Sequence, residues 1–520
     1  MIARPTFTLD DLLLRAAEEH GGRTAIVDGK ASYTYADLLA ASDSLASALL
    51  DAGIGRGDRV GIYMQKSWES IVAMLAISQA GAAFVNVNPA LKAAQVAYIV
   101  GDCDVRLLIA DTDRLDALEP GTVPQAFHHG AAPKQPGSTD LGAILATPGR
   151  GERRPLIETD LGTVLYTSGS TGMPKGVAFS QRNLVVGAEI VSTYLENTAD
   201  DRILSVLPFS FDYGLNQLTC AIRVGASLVV QRSQLPGDLL RGLRQHEITG
   251  LAGVPPVWSL VLRNAKSLET EPLTALRYIT NSGGRIPQAN LDALRRLLPG
   301  TRIFLMYGLT EAFRSTFLPP EELDRGSDCI GKAIPNTEIL VIKDGRAAEV
   351  GEVGELVHRG PTVALGYWGN QEATDRVYGA NPLAPPELLE VERVVRSGDL
   401  VRRDADGYLY FMGRNDEMIK SGGFRISPEE VENLLIASGV VHEAAALGVD
   451  DPDGVVGQVV LAVVSLRDEA PENAVQVIRD HMVASAPPYM TPREIVVVDE
   501  LPKGASGKLD RPAIRRAHAA

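Results

Sequence analysis

One stretch of the chain combines glycine, short hydroxyl side chains and a single lysine. It reads YTSGSTGMPKGV over residues 166–177 and directly follows the apolar run 161–165. Glycine lets a backbone approach oxygen atoms closely, and bare amides and hydroxyls donate hydrogen bonds to them. Lys175 adds a positive charge, but Gly176 stands where a Walker A loop has Ser or Thr. The stretch therefore predicts a different loop for a nucleotide polyphosphate; the alternative is a flexible Gly/Ser surface loop.

Such a loop needs a scaffold, and from about residue 20 to 400 short apolar β-rich runs alternate with amphipathic helical stretches. This rhythm predicts helix-covered, mostly parallel sheets, in which ligands bind beyond the carboxyl ends of strands. The phosphate loop and the YGLTE block at 307–311 both follow predicted strands. Strands are predicted at 202–207, 226–231, 249–254, 276–280 and 302–306, and helices at 214–224, 235–246, 256–265 and 287–298.

From residue 331 onward the sequence pattern changes. Frequent glycines and turn signals predict a small β-rich subdomain over 331–401, with a surface loop at 371–396 and a hairpin turn at 404–407. After a linker at 413–416, a helix over 428–437 and strands near 444–449 and 459–464 predict an independent α+β unit. The predicted fold is α/β, with a large domain over 1–413 and a mobile α+β domain over 414–520.

Composition excludes several function classes. The chain has 520 residues and a formal net charge of −15, which argues against nucleic-acid binding and a basic membrane-docking face. Its three cysteines are far apart, without metal-ligand or disulfide spacing, and fit a reducing cytoplasm. We expect no signal peptide and no membrane span, because no run of about 20 apolar residues occurs.

The loop at 166–177 resembles the phosphate-loop signature of the adenylate-forming enzymes, a superfamily of acyl-CoA synthetases, adenylation domains and luciferases. Four further blocks, in the family's order, extend the resemblance over essentially the whole chain. It implies that ATP is bound by the loop residues Thr167, Ser168, Gly169, Ser170, Thr171, Gly172 and Lys175.

The second and third blocks are MYGLTEA at 306–312 and VRSGDL at 395–400. By resemblance, Tyr307 lies against adenine, Thr310 contacts the α-phosphate and Glu311 ligates Mg²⁺, while Gly283 also borders the nucleotide. Asp399 is implied to bind both ribose hydroxyls, which suits a carboxylate with two acceptor oxygens. The family often has an aromatic residue at the position of Val395.

The fourth block, GRNDEMIKSGGFRISPEE at 413–430, resembles the family's hinge and the first loop of its mobile domain. Arg414, Lys420 and Arg425 are implied to contact the nucleotide or adenylate, and Asp416 to be the hinge. Gly422 and Gly423 match the strand along the pantetheine tunnel.

The fifth block, LPKGASGKLDR at 501–511, places Lys508 at the family's catalytic lysine. A lysine suits a step in which negative charge develops between carboxylate and phosphate oxygens.

The implied reaction joins a carboxylic acid to AMP, with Mg²⁺, and passes the acyl group to the thiol of CoA or of a phosphopantetheinyl carrier protein. We expect that acceptor to be a separate molecule. An amino-acid or β-amino-acid adenylation enzyme acting on a carrier protein stays open. A half-reaction member that binds adenylate without completing the cycle and a luciferase-type use of the adenylate also stay open.

The acid pocket is expected near the block PFSFDYGL at 208–215. Phe211-Asp212 resembles amino-acid adenylation enzymes, in which the aspartate pairs with an ammonium, and the alternative is that Asp212 caps the following helix. The surrounding strings also resemble bacterial acyl-CoA ligases of exosortase systems. Arg314 is either a partner for a second acidic group or structural. Further pocket walls are predicted at Trp258, Asn281, Ser282, Gly284, Gly308 and Phe313.

Overall fold

The structure is a computed structural model that describes residues 5–134, 137–167, 174–233, 235–286, 288–387, 392–414, 419–426, 428–502, 509 and 511–518. The side chains of residues 289, 413, 414, 425, 429 and 512 are outside this description. None of the helices in these ranges has the length and apolar character that a bilayer crossing requires.

The strands, numbered in chain order, are β1 Thr24–Asp28, β2 Ala31–Thr34, β3 Arg59–Tyr63, β4 Ala83–Asn86, β5 Val105–Asp111, β6 Ala126–His129, β7 Thr139–Asp140, β8 Leu161–Thr167, β9 Lys175–Ser180, β10 Arg202–Ser205, β11 Ser227–Val230, β12 Gly250–Gly253, β13 Tyr278–Asn281, β14 Arg302–Tyr307, β15 Thr316–Leu318, β16 Cys329–Ala333, β17 Glu338–Lys343, β18 Arg346–Ala347, β19 Val353–Arg359, β20 Gly366–Tyr367, β21 Tyr378–Ala380, β22 Arg393–Arg403, β23 Leu409–Arg414, β24 Ile419–Ser421, β25 Phe424–Ile426, β26 Val441–Asp450, β27 Gln458–Leu466 and β28 Glu494–Val498.

The α-helices are α1 Leu9–His20, α2 Tyr35–Asp51, α3 Trp68–Gln79, α4 Ala93–Asp102, α5 Thr112–Asp116, α6 Leu141–Leu145, α7 Gln181–Tyr194, α8 Asp212–Val224, α9 Pro236–Gln245, α10 Pro255–Leu262, α11 Ala265–Thr270, α12 Gln288–Leu297, α13 Gln371–Val377, α14 Pro428–Ala437, α15 Ala474–Ser485 and α16 Arg511–His518. Short 3₁₀ helices span Thr310–Ala312, Pro320–Arg325 and Pro488–Met490.

Two large sheets organise the first four hundred residues. One has eight strands in the order β20-β9-β8-β4-β3-β5-β6-β7, with parallel pairing from β8 to β7 and an antiparallel hairpin of β8 and β9. The other runs through β1, β11, β10, β12, β13 and β14 with parallel neighbours. The parallel strands confirm the predicted layered architecture.

The second sheet continues into an antiparallel region. Beyond β14 its order is β15, β16, β23, β22, β19, β17 and β18, each paired antiparallel with the next. This region confirms the predicted β-rich subdomain and the hairpin turn at 404–407, which joins β22 to β23.

The C-terminal part has its own sheets and core. Strands β26, β27 and β28 form a three-stranded sheet, and β24 and β25 form a two-stranded hairpin. A separate hydrophobic cluster includes Val431 and Leu435 of α14, Val464 of β27 and Ile478 of α15. The small α+β unit is therefore confirmed, while the position of the boundary at 413/414 stays a prediction.

One structural prediction was wrong. The segment 371–396, expected to be a surface loop, contains α13, β21 and the first residues of β22. The side chain of Asn370 caps α13 by accepting from the Ala373 amide, and β21 pairs antiparallel with β22. Capping and strand pairing thus order a segment whose polar composition is typical of a loop.

Candidate active site

A cavity of about 850 Å³ lies where the large part of the molecule meets the small C-terminal part. Its wall in the large part follows the carboxyl ends of β8, β13 and β14, as expected for an open parallel sheet. The hairpin β24–β25 and residues of β26 and β27 line the other side. The fold therefore brings several distant sequence blocks to one place.

Two carboxylates near this cavity each accept a hydrogen bond from a tyrosine. Asp399, on β22, is fully buried and accepts from the hydroxyl of Tyr307, whose side chain lines the cavity. In the β22–β23 register Asp399 stands opposite Arg414. The structure thus places the predicted adenine and ribose residues in direct contact, with Asp399 behind Tyr307 rather than on the cavity surface.

Glu311 is the second of these carboxylates. It belongs to the 3₁₀ helix that follows β14 and is 8% exposed. The hydroxyl of Tyr367 donates to its Oε1 at 2.6 Å, and the Lys175 ammonium lies 5.7 Å from the centre of the Tyr367 ring. Glu311 and Lys175 lie behind the cavity surface, whereas Thr310 and Thr167 line it. We call Tyr307–Asp399 and Tyr367–Glu311 the tyrosine–carboxylate pairs.

The fit of Glu311 to a divalent cation can be tested on its second oxygen. Oε2 is buried and has no hydrogen-bond partner among the protein atoms described. Among the described residues, no group of three or more His, Cys, Asp or Glu side chains forms a protein-only metal cage. A single free carboxylate oxygen suits Mg²⁺, which is usually bound by one or two carboxylates together with substrate phosphates.

Asp212 is a further acidic residue of the cavity wall. It is the first residue of α8, is 4% exposed and lines the cavity. Phe211 occupies the N-cap position, and no side chain caps this helix. Burial raises the pKa of Asp212 to about 6, while Arg314 lowers it and Glu311 raises it. Asp212 thus lies in the first turn of α8 rather than at its N-cap, and the alternative prediction that it caps the helix is wrong.

The loop before α8 is held by side chains that donate hydrogen bonds to its backbone oxygens. Lys66 donates to the backbone oxygens of Ser205 and Leu207, the latter at 3.0 Å, and Asn86 donates to the backbone oxygen of Phe209 at 3.1 Å. A Cβ at Gly214 would lie 2.1 Å from the backbone oxygen of Pro208, so only glycine lets the helix start pack this closely. These contacts hold the backbone that leads into α8.

Arg314 is the other charged side chain on this part of the wall. It is 2% exposed and lines the cavity. Its Nη1 donates to Ser282 Oγ at 3.0 Å, and its guanidinium lies 4.6 Å from the centre of the Tyr213 ring. Its Nε and Nη2 atoms have no hydrogen-bond partner in the described protein. We call Asp212 and Arg314, with Ser282 and Tyr213, the charged region.

A strained turn directs Arg314 into the cavity. Phe313 has φ +60° and ψ −56°, and the Arg314 amide donates to the Ala312 backbone oxygen at 2.6 Å. This is a γ-turn, which is rare for a residue with a side chain. The Phe313 ring is fully buried and packs edge-on against Phe179. Strain of this kind often marks a functional site.

The other predicted walls divide into two groups. The cavity is lined by Phe211, Asn281, Ser282, Gly283, Gly284 and Gly308. Trp258 and Phe313 do not line it. Trp258 is almost fully buried and donates from Nε1 to Asn281 Oδ1 at 2.9 Å, so it contacts the cavity wall from behind.

The hairpin of the small domain touches the large domain at the cavity. A Cβ at Gly423, whose φ is +85°, would lie 2.8 Å from Val254 Cγ1, and Gly423 also lies beside Gly283. The Lys420 ammonium lies 4.5 Å from the centre of the Phe411 ring. Lys420 and Gly423 line the cavity, and their contacts with the adenylate and the pantetheine stay predictions.

Some predicted residues lie outside the described part of the chain. These are Ser168, Gly169, Ser170, Thr171, Gly172, Asp416 and Lys508, together with the side chains of Arg414 and Arg425. Their roles stay predictions. Conversely, sequence reasoning missed Tyr367 and Tyr213. Tyr213 adjoins Asp212, but nothing in the sequence places Tyr367 beside Glu311.

Comparison with known families agrees with this geometry. The family described as AMP-binding enzyme matches residues 13–368, and the AMP-binding enzyme C-terminal domain matches residues 430–508. The chain therefore belongs to the AMP-binding enzyme family, within the adenylate-forming ligases, and the predicted resemblance is confirmed.

Two relatives illustrate the range of the family. The L-proline–[L-prolyl-carrier protein] ligase of Streptomyces coelicolor is 31% identical, over 95% of this chain and 93% of that protein. The probable non-canonical nonribosomal peptide synthetase CymA of Salinispora arenicola is 33% identical over 94% of this chain. The chain spans only 6% of the length of CymA.

Solved structures confirm the fold. An o-succinylbenzoate CoA synthetase double mutant from Bacillus subtilis superposes with a TM-score of 0.84 at 25% identity, covering 99% of both chains. The anthranilate CoA ligase AuaEII, in complex with anthranoyl-AMP, superposes with a TM-score of 0.73 at 28% identity, also covering 99% of both chains.

Proposed function

We propose that this chain activates a carboxylic acid with ATP and transfers the acyl group to a phosphopantetheine thiol, either of CoA or of a separate carrier protein. The observation that carries this proposal is that one cavity is lined by Tyr307, by Asp212 and Arg314 of the charged region, and by Gly423 of the small domain. An acyl-adenylate extends from a nucleotide site to an acid site, and a thiol must reach the acyl carbon between them.

The first half-reaction is a displacement at phosphorus. A carboxylate oxygen attacks the α-phosphorus of ATP, the bond to the bridging oxygen breaks, and pyrophosphate leaves with its electron pair. Catalysis of such a step is mostly positioning and charge stabilisation. Thr167 and Thr310 line the cavity as hydroxyl donors, and the proposed role of Lys508 is to stabilise the charge shared by carboxylate and phosphate oxygens.

A bound Mg²⁺ would neutralise phosphate charge, and Glu311 would hold it through Oε2, the oxygen without a protein partner. The residues of this chain do the rest. Tyr367 fixes Glu311 by donating to Oε1, and Lys175 lies close to the same tyrosine. The buried environment lowers the local dielectric, which strengthens each of these charge interactions.

The second half-reaction forms a thioester. A thiol attacks the acyl carbon of the adenylate, the acyl–phosphate bond breaks, and AMP leaves. The approach along Gly423 needs space that a side chain would fill, since the glycine already lies against Val254. The small domain is proposed to rotate about Asp416 between the two half-reactions, a hinge motion.

A narrower candidate, an enzyme that adenylates an amino acid for a separate carrier protein, is favoured by Asp212. Its carboxylate is buried in the cavity wall, and no ion pair within 4.0 Å joins it to Arg314. A buried carboxylate is costly without a cationic partner, and a substrate ammonium would supply one.

The proposed function is tested by ATP–pyrophosphate exchange with matched acids. The panel contains α- and β-amino acids beside their deamino and hydroxy counterparts. Exchange with any acid supports the ligase, and exchange restricted to amino-bearing acids supports the narrower candidate. Absence of exchange with the whole panel, in a folded protein, would contradict the proposal.

Substitution of Lys508 separates the two half-reactions. Lys508→Ala is expected to lower exchange by roughly 100- to 1000-fold, the loss typical of removing a transition-state charge partner. Thiol transfer from a supplied acyl-adenylate should remain. Lys503→Ala, in the same block, is the matched control and should retain both. Equal loss of both half-reactions in Lys508→Ala would contradict the assigned role.

A further inference from the structure

The guanidinium of Arg314 is buried in the cavity wall with one edge unused. Its exposure is 2%, and a buried guanidinium ordinarily has its N–H groups paired. Nε and Nη2 have no protein partner within the described residues. These two atoms form one side of the planar fork, the side that donates two parallel hydrogen bonds to a carboxylate.

Two contacts prevent that edge from turning away. Nη1 donates to Ser282 Oγ at 3.0 Å, which fixes one end of the group. The guanidinium carbon lies over the Tyr213 ring, 4.6 Å from its centre, and the Tyr213 hydroxyl donates to the backbone oxygen of Thr280 at 2.8 Å. The edge, whose two nitrogens are themselves buried, is thus oriented by residues that are held in place.

The nearby acidic groups do not use the edge. Arg314 influences the titration of Asp212, but no ion pair within 4.0 Å joins them. Glu311 is hydrogen-bonded to Tyr367 instead. The γ-turn at Phe313 brings Arg314 to the wall at a cost in backbone strain. A merely neutralising arginine would need neither this turn nor a free fork.

We propose that Arg314 binds a second carboxylate on the substrate, so that the acid activated by this chain is a dicarboxylic acid. One carboxylate reacts at the α-phosphorus while the other accepts from Nε and Nη2. This inference rests on the proposed ligase function and specifies that the substrate carries a second negative charge. Asp212 lies in the same region and concerns a separate property of the substrate, which is the presence of an ammonium group.

The test is pyrophosphate exchange with three sets of acids of four to six carbons. The sets are straight-chain dicarboxylic acids, monocarboxylic acids of the same length, and the 2-amino derivatives of both. The unmodified chain should favour a dicarboxylic acid over its monocarboxylic match by roughly 10- to 100-fold, the range for charge-assisted bidentate pairing. Preference for the 2-amino dicarboxylic acids would assign Asp212 to the ammonium, and preference for the plain ones would not.

Three variants locate the effect. Arg314→Met, which keeps length without charge, should remove the dicarboxylic preference and leave the KM for ATP unchanged. Arg314→Lys, which keeps charge without the fork, should retain part of it. Arg285→Met is the matched control, since Arg285 lines the same cavity but its Nε donates to Ser327 Oγ at 3.0 Å. It should retain the preference.

The outcomes separate this inference from the proposed function. Exchange with monocarboxylic acids and no preference for dicarboxylic ones would overturn the role of Arg314 while leaving the ligase intact. A raised KM for ATP in Arg314→Met, with equal loss for every acid, would also overturn it and assign the arginine to the nucleotide. Absence of exchange with all three sets, but exchange with another acid of the panel under the proposed function, would overturn this inference alone. Absence of exchange with both panels would overturn the ligase itself. Thermal unfolding of each variant confirms that the protein is folded.

Discussion

The tyrosine–carboxylate pairs and the charged region lie around one cavity but differ in how their polar groups are satisfied. Asp399 and Glu311 each accept from a tyrosine hydroxyl of the same chain. Glu311 keeps one buried oxygen, Oε2, without a protein partner among the described residues, whereas Arg314 in the charged region has two N–H groups without one. Burying unpaired polar groups is costly, so each region points to a ligand. The first offers it an acceptor oxygen and the second offers it two donors.

Within this comparison, the largest expected effect is that of substituting Asp399 in the tyrosine–carboxylate pairs. Asp399→Asn is expected to raise the KM for ATP by roughly 10- to 100-fold, since a hydrogen bond to a charged group contributes about 1.5–3 kcal/mol. The factor should be the same for every acid. Tyr307→Phe keeps the ring and removes only the hydroxyl that donates to Asp399, and should raise this KM less. An effect of Asp399→Asn that depends on the acid would erase the distinction between the two regions.

The charged region is tested by the pH dependence of the KM for the acid. Because burial raises the pKa of Asp212 to about 6, the carboxylate is ionised above pH 6 and neutral below it. If Asp212 pairs with an ammonium, the KM for an amino-bearing acid should rise by about tenfold per pH unit below 6. The KM values for ATP and for the deamino acid should stay flat, and Asp212→Asn should abolish the slope. A slope that persists in this variant would assign the titration to another group.

The same titration has a consequence for stability. The folded protein holds the Asp212 proton between pH 4 and 6, where the unfolded chain has lost it. The contribution of Asp212 to the free energy of unfolding therefore falls as pH rises through this window. Asp212→Asn should be relatively more stable than the unmodified chain above pH 6.

The smallest expected effect concerns the support of the turn. A Cβ at Gly187 of α7 would lie 2.5 Å from the Phe313 ring. Gly187→Ala should therefore lower the free energy of unfolding by about 1–3 kcal/mol. Gly101→Ala near the end of α4, where a Cβ meets nothing within 4 Å, should raise it by up to about 1 kcal/mol. Chemical denaturation of both variants measures their free energies of unfolding. Similar values for the two variants would show that the Phe313 ring moves aside without cost.

Much of the fold was predictable because local patterns dominate in it. Helix α14 begins and ends at the predicted residues, and the strands preceding the phosphate loop and the YGLTE block lie where expected. Pairing of distant strands was not predictable, since β1 pairs with β11 some two hundred residues later. The segment 371–396 was misjudged because its strand β21 forms only through pairing with β22.

The site shows the same division. Residues inside specific motifs, such as Thr310 and Tyr307, lie at the cavity as predicted. The meaning of Arg314 was left open, because a sequence shows an arginine but not which of its N–H groups are paired. Tyr367 was missed since its contact with Glu311 spans 56 positions and depends on the short strand β20.

The γ-turn at Phe313 also has a practical consequence for redesign. The turn sets the direction in which side chain 314 leaves the backbone, Ser282 and Tyr213 orient its guanidinium, and the Phe313 ring packs in the core. Residue 314 can therefore be substituted while the backbone of the turn stays in place. Libraries confined to this position, with Phe313 and Gly187 kept, should yield ligases with altered acid preference and unchanged use of ATP.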